Sequence, residues 1–352
     1  MHRRLGQFGP LTPAERAVIA RLGTGNFTVL GDGTLPGESA GEDRRVRASL
    51  IRWLALGAPG DDSVRLHEKG LRIAGALVVS DGKGDSALDL EGCTLAHDLA
   101  LVYCRFQHPP LLRGARVQSL FLNRAALPGL EADGLEARGV VFLRAVRATG
   151  EVRLLRAWVG SDLSCTNGRF ENAGGTAVNA DGLEARGGVF LRDVHTTGEV
   201  RLLGARIGGN LECEGGRFEN AGGTPVNAVG LEARGDVFLR DVHATGEVRL
   251  LGAQVGGNLE CDGGQFENAG GRALDAAGAR VAGTLFWRNG SHATGAINLT
   301  AAEIRDINDD AACWPGPGDL LLNRCRYGAF TGMGVSGGDR IRWLDPESVT
   351  HH

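Results

Sequence analysis

The chain has seven cysteines, nine histidines and 42 acidic residues in 352, so spacing rather than supply decides which chemistry is open to it. The cysteines are Cys93, Cys104, Cys165, Cys213, Cys261, Cys313 and Cys325, an odd number with no CxxC pair. That usage fits a reducing cytoplasm better than a secreted disulfide framework. His195, His243 and His292 recur about once per 48 residues, too far apart to share one metal ion. Asp306, Asn308, Asp309 and Asp310 form an acidic cluster ahead of CWPGPG. A loop is its simplest reading and a cation site the alternative. Most other carboxylates come with repeat copies, whereas an active site is normally one irregular place. The expectation is therefore no catalytic residue, no metal and no cofactor.

The residues that recur need a frame that repeats. GRFENAGG stands at 168–175, returns at 216–223, and comes back as GQFENAGG at 264–271. Three nearly identical 48-residue units begin at Gly134, Gly182 and Gly230. Beneath them runs a finer period. Apolar-x-apolar pairs begin at Val141, Val152, Leu163, Val178, Val189, Val200 and Leu211, eleven residues apart except across ENAGG, where the step is fifteen. Short alternating segments punctuated by glycine read as strands, and strands this short bury a face only when stacked. The expected fold is mainly β, a parallel β-helix of about eleven coils of 22–26 residues. A right-handed sense is expected from the preference of β crossovers.

Residues 71–330 are assigned to this β-helix, with the 48-residue repeats at 134–277. Residues 1–70 are assigned to an N-terminal helical cap and 331–352 to a C-terminal segment. Within the cap, Thr12, Pro13 and Glu15 form a capping box. Residues 43–56 carry Val46, Leu50, Ile51 and Leu54 at helical spacing. Trp287, Trp314, Tyr327 and Trp343 fall late, as a plug for the far end would. ENAGG is read as an enlarged corner of every second coil. Phe170, Phe218 and Phe266 anchor it, both of its glycines supply positive φ, and its asparagine bonds locally.

Aligning Val189-Phe190-Leu191-Arg192 beside Leu211-Glu212-Cys213-Glu214 assigns roles by position. The first and third residues face inward, so Cys165, Cys213 and Cys261 sit two coils apart, about 9.6 Å, as small buried hydrophobes. The fourth position carries Arg192, Glu214, Arg240, Asp262 and Arg288 in alternating sign. The second carries Phe142, Phe190, Phe238 and Phe286, pointing outward. Two readings of this row stay open. The rings are covered by the arginine stems or the ENAGG corner, or they dock a protein partner or a second copy. Phe142, Phe190, Phe238, Phe286, Arg192 and Arg240 are accordingly the candidate partner-binding residues.

Glycine is 56 of 352 and the hydrophobic fraction is 42%, so the chain can bury a core and is not disordered. A net charge of −4 with both signs mixed leaves no basic footprint for nucleic acid. The N-terminus lacks the apolar run of a signal peptide, and no stretch approaches 18 apolar residues.

GEVRLLGARIGG, GNLECEGGRFENAGG and the late WPGPGDLLLNRCRYGAF resemble a group of uncharacterised bacterial glycine-rich repeat proteins, over about residues 45–344. Some of these carry an oxidoreductase or membrane-associated label. Some longer members continue past the RWL segment into a helical region or membrane anchor, which this chain is expected to lack. The oxidoreductase label finds no GxGxxG between a strand and a helix here, and no CxxC. A weaker likeness to pentapeptide-repeat proteins fails on a step of 11 rather than 5. The expected function is a non-enzymatic cytoplasmic scaffold or protein-binding module. The alternatives are a carbohydrate-active β-helix enzyme and a DNA mimic that inhibits a nucleic-acid enzyme.

Overall fold

The computed structural model describes residues 4–81, 87–313, 315–316, 318–332 and 338. The chain is a parallel β-solenoid of about 10 turns with a short helical N-terminal part. It falls into two compact units, one formed by Met1–Glu171 with Leu183–Arg186, the other by Asn172–Gly182 with Gly187–His352. The expected count was eleven. One reason for the difference is the first coil, which takes 28 residues, since Leu71 pairs with Leu99 and Leu77 with Arg105.

In the first unit the eleven-residue step divides further. Two-residue bridges start at Glu136, Val141, Arg147, Val152, Trp158 and Leu163, at intervals of five and six. A coil therefore has four short sides, and Val141 meets Leu163 one full coil later. The short alternating strands expected from the sequence are shorter still. A side of five or six residues that includes its own corner leaves only two for the ladder. Each side points two residues inward: Val141, Leu143, Val146, Ala148, Val152, Leu154, Ala157 and Val159 are at most 1% exposed. The coils are held by evenly spaced parallel bonds such as Val141 N to Asp162 O at 3.0 Å and Leu143 N to Ser164 O at 2.7 Å.

Every ten or eleven residues the chain closes a tight turn whose third residue has positive φ. Val146 N donates to Leu143 O across Ala145, which has φ 53°. Such a turn favours glycine or asparagine. Arg124, Ala145 and Arg156 hold it without either advantage, at about 1–3 kcal/mol each, which the stacked ladder must offset.

The N-terminal segment is more than a helical cap. Thr28–Val29 pairs in parallel with Ile73 and Ala74, and Arg45–Arg47 pairs with Leu77–Val79, so it adds a side to each sheet and covers their first edges. Helix α1, Pro13–Arg21, begins with the predicted box: Glu15 N donates to Thr12 Oγ1 and Thr12 N to Glu15 Oε2. Helix α2 covers Ala48–Ala55 rather than starting at residue 43. Arg45–Arg47 is drawn into the sheet instead, because Val46 satisfies a strand as well as a helix and Leu77 N offers a bond to Arg44 O. Leu50, Ile51 and Leu54 are buried as the helical spacing requires.

The enlarged corner is clearest in the second unit. Gln265–Asp275 pairs with His292–Asn298, but the register slips between Glu267 and Arg272, and again before Leu274. The residues between bulge out. Phe170, Phe218 and Phe266 are buried, as expected. Asn172, Asn220 and Asn268 each donate a side-chain N–H to the carbonyl four residues on, at 2.8, 3.2 and 2.7 Å. Positive φ falls on Gly174, Gly222 and Gly270 alone and not on the glycine after each, because the asparagine bond already fixes that residue.

At the far end Trp287 is buried and its indole N–H donates to Cys313 O at 2.7 Å, whereas Tyr327 is 39% exposed and plugs nothing. Trp314, Trp343 and almost all of 331–352 lie outside the described residues. The acidic cluster is no loop. Asp306, Asn308 and Asp309 lie on the strand Glu303–Asp309, and Asp310 caps Asn289 N with a carboxylate oxygen at 2.9 Å.

Candidate functional site

The outward face built from the second and fourth positions carries the candidate residues. In the second unit the register runs Phe190 to Glu212, Phe238, Glu260, Phe286 and Asn308. The rings thus lie two coils apart with a glutamate between each pair. Phe142 belongs to the first unit, between Phe121 and Ser164 on its neighbouring coils. Each ring points outward as the alternation requires, yet none is fully exposed.

The reason is the arginine two residues later. Its guanidinium lies over the ring of its own strand: Arg144 at 3.8 Å from the Phe142 centroid, Arg192 at 5.3 Å from Phe190, Arg240 at 4.6 Å from Phe238, Arg288 at 4.5 Å from Phe286. Such a contact is worth about 0.5–1 kcal/mol at exposed sites and more when desolvated. Phe121 and Phe142 also meet edge to face at 5.6 Å. The row is therefore a set of ring-and-guanidinium plates rather than a bare apolar stripe.

The same guanidiniums reach the neighbouring coils. Arg192 pairs with Glu212. Arg240 bridges Glu214 at 3.0 Å on one side and Glu260 at 3.4 Å on the other. Arg288 reaches Asp262 at 3.2 Å and Asn308 at 3.1 Å. Glu212 is only 7% exposed, held in its column between Phe190 and Phe238. Burial pushes the Glu260 carboxyl above its ordinary range, against the pull of Arg240.

Sequence reasoning missed a second ladder beside this one. Asn210 Oδ1 accepts from Asp236 N at 3.0 Å, Asp236 Oδ1 from Asn258 N at 2.6 Å, and Asn258 Oδ1 from Thr284 N at 2.9 Å. The signal was present as one Asn or Asp just before each apolar pair, in GGN, RGD and GGN.

Cys165, Cys213 and Cys261 are fully buried, free of disulfides, and inside. Burial pushes the thiols of Cys165 and Cys213 up to about 12, and that of Cys261 higher still. His195 lies 3.5 Å from Glu219, which also pairs with Arg217, and His243 lies 3.9 Å from Glu267. Among the described residues no three His, Cys, Asp or Glu side chains gather to hold a metal ion, and no helix is long and apolar enough to cross a membrane. No family model, curated protein or solved structure matches the chain.

Proposed function

We propose that the chain is a non-enzymatic protein-binding module, and that the ring-and-guanidinium plates of the second unit are its recognition face. The observation that carries this reading is the threefold unit Phe190/Arg192, Phe238/Arg240 and Phe286/Arg288, repeated on a rigid ladder. Protein interfaces concentrate aromatic and arginine side chains, and their strongest anchors are of these types. Each plate offers a half-buried ring edge and a guanidinium edge already fixed by its ion pairs, so little side-chain freedom is lost on docking. Glu212, Glu214, Glu260 and Asp262 are all engaged by arginines, which suits recognition better than proton transfer. The buried thiols suit a reducing, cytoplasmic setting.

The test is site-specific photocrosslinking. A benzophenone amino acid replaces Phe238 or, as a control on another face, Gln254, and the protein is irradiated in host extract. A single dominant adduct at 238 supports the reading if it is absent at 254, competed by unlabelled protein, and lost when R192E and R240E are added. Identical adducts at both positions, or none at either, would refute it.

A further inference from the structure

The first unit carries a feature that the plates leave unused. On its opposite sheet an open groove of about 1100 Å³ runs across several coils. Ala126, Leu127 and Pro128 form its floor, and Arg105, Arg147 and Arg169 stand along it. The register places them in one column: Arg105 beside Ala126, Ala126 beside Arg147, and Arg147 beside Arg169. The alanine lowers the surface for one coil, and the two arginines after it occupy directly opposed positions.

Opposed like charges on adjacent strands are destabilising. Three other arginines of this unit have carboxylate partners. Arg113 lies between Glu91 at 2.8 Å and Glu131 at 2.6 Å, Arg116 meets Glu136 at 2.9 Å, and Arg153 meets Asp133 at 2.5 Å. In the groove, Arg105 has Glu38 at 3.3 Å and Arg169 has Glu171 at 3.7 Å, but Arg147 has no carboxylate within 4 Å among the described residues. The exposed hydroxyl of Thr149 and imidazole of His108 line the same groove. An unmatched cation facing another cation, over an apolar floor, is a vacancy for negative charge.

We infer that this groove binds a phosphate-bearing ligand, with Arg147 and Arg169 as the paired guanidinium clamp. Guanidinium groups bind phosphate oxygens in a bidentate fork, and two arginines one coil apart, about 4.8 Å, span adjacent phosphates of a polyphosphate or a phosphate monoester. Arg105, about two coils from Arg147 across the Ala126 gap, takes a further oxyanion. The shared chemistry is the phosphate group, whether free or as a lipid headgroup.

The test uses inorganic triphosphate on the full chain in low salt, read by calorimetry and by thermal melting. Triphosphate should raise the melting temperature and bind with an affinity that falls as salt rises. R147Q should weaken binding by about tenfold or more, as loss of one charge-assisted pair does. R147E places a carboxylate beside Arg169, so it should melt at or above the wild type and still lose the triphosphate response. Arg138→Gln, on the other sheet, should bind like the wild type. Cosedimentation with vesicles of phosphatidic acid in phosphatidylcholine, without a response to free triphosphate, would assign the phosphate to a lipid headgroup. The inference fails if neither probe binds, if R147Q binds as tightly as the wild type, or if R147E melts well below it.

Discussion

The carbonyl oxygen of Asn172 sits where a side chain at Gly198 would begin: a Cβ at Gly198 would lie 2.4 Å from it, and 2.7 Å from Gly175 O. Gly246 stands in the same relation to Asn220 O at 2.6 Å, and Gly295 to Asn268 O at 2.4 Å. The two repeated phrases, ENAGG and the glycine of TTGE, ATGE or ATGA one coil later, are thus two halves of one joint. The bulge leans over the next coil, and only a residue without Cβ lets the backbones approach.

That joint gives the first prediction. Gly198→Ala suffers both the clash and a φ of 113°, so it should cost at least about 2–3 kcal/mol in denaturant unfolding. Gly174→Ala has positive φ but open space around it and should cost only about 1–2 kcal/mol. Equal losses would mean that the bulge yields and the joint is soft.

Much of this was legible because burial in a solenoid is periodic. The inward set at Val141, Leu143, Val152 and Leu154 repeats every eleven residues, and ENAGG shows itself by breaking that step. The four-sided coil was not legible, since two-residue bridges are too short to display alternation. Strand Arg45–Arg47 was hidden because Val46 also fits a helical spacing. The plates were half legible. Arg192 and Arg240 stand in the right column, but whether a guanidinium lies over its own ring or leaves it bare depends on the neighbouring carboxylates that draw it. The groove was illegible because it exists only through the register that sets Ala126 beside Arg147.

A second prediction concerns Glu15, fully buried in the first turn of helix α1. Arg47 donates to its two oxygens from Nε and Nη2, both at 2.7 Å, and Arg47 N and Thr12 N add one bond each. Burial raises its carboxyl, and these bonds outweigh burial, so its folded pKa lies below the ordinary value. A depressed carboxylate contributes stability that is present above the unfolded pKa and lost as pH falls through the folded one. Wild type should therefore lose stability below about pH 4.5, whereas E15Q should show a flatter acid limb. At pH 7, E15Q should lose about 3–5 kcal/mol by leaving Arg47 unpaired, and T12A about 1 kcal/mol. An E15Q acid limb as steep as the wild type would remove Glu15 from the account.

The thiols give a third. At pH 8 a maleimide or disulfide reagent should modify half-buried Cys93 quickly and Cys325, whose thiol burial pushes up, more slowly. Cys165, Cys213 and Cys261 should react only at the rate of opening, since their thiolate fraction is negligible and the side chains are inaccessible. Mass mapping after timed quenching reads each site. Labelling of Cys213 faster than amide exchange of its own coil would overturn its placement inside.

The last prediction separates the half-coil from the full repeat. In the second unit, Arg206 pairs with Glu232, Glu232 with Gln254, and Gln254 with Arg280, so two coils take 48 residues. Removing residues 206–253 joins Ala205 to Gln254 and restores LLGA-QVGGN in place of LLGA-RIGGN. Every inward position keeps its place, every corner keeps its turn, and the solenoid should fold two coils shorter. Its denaturant m-value should fall by roughly one-seventh, as 48 of 352 residues no longer contribute exposed surface. Removing only 206–216 joins Ala205 to Arg217, which sends a segment of one sheet into the other and sets every following residue half a coil out of step with the coil before it. Nearest-neighbour stacking then fails on both sides of the cut. That variant should lose cooperative melting or fail to accumulate as soluble protein. If both deletions melt alike, the coil is not the unit that carries the interface, and the register that assembles the plates and the groove is wrong with it.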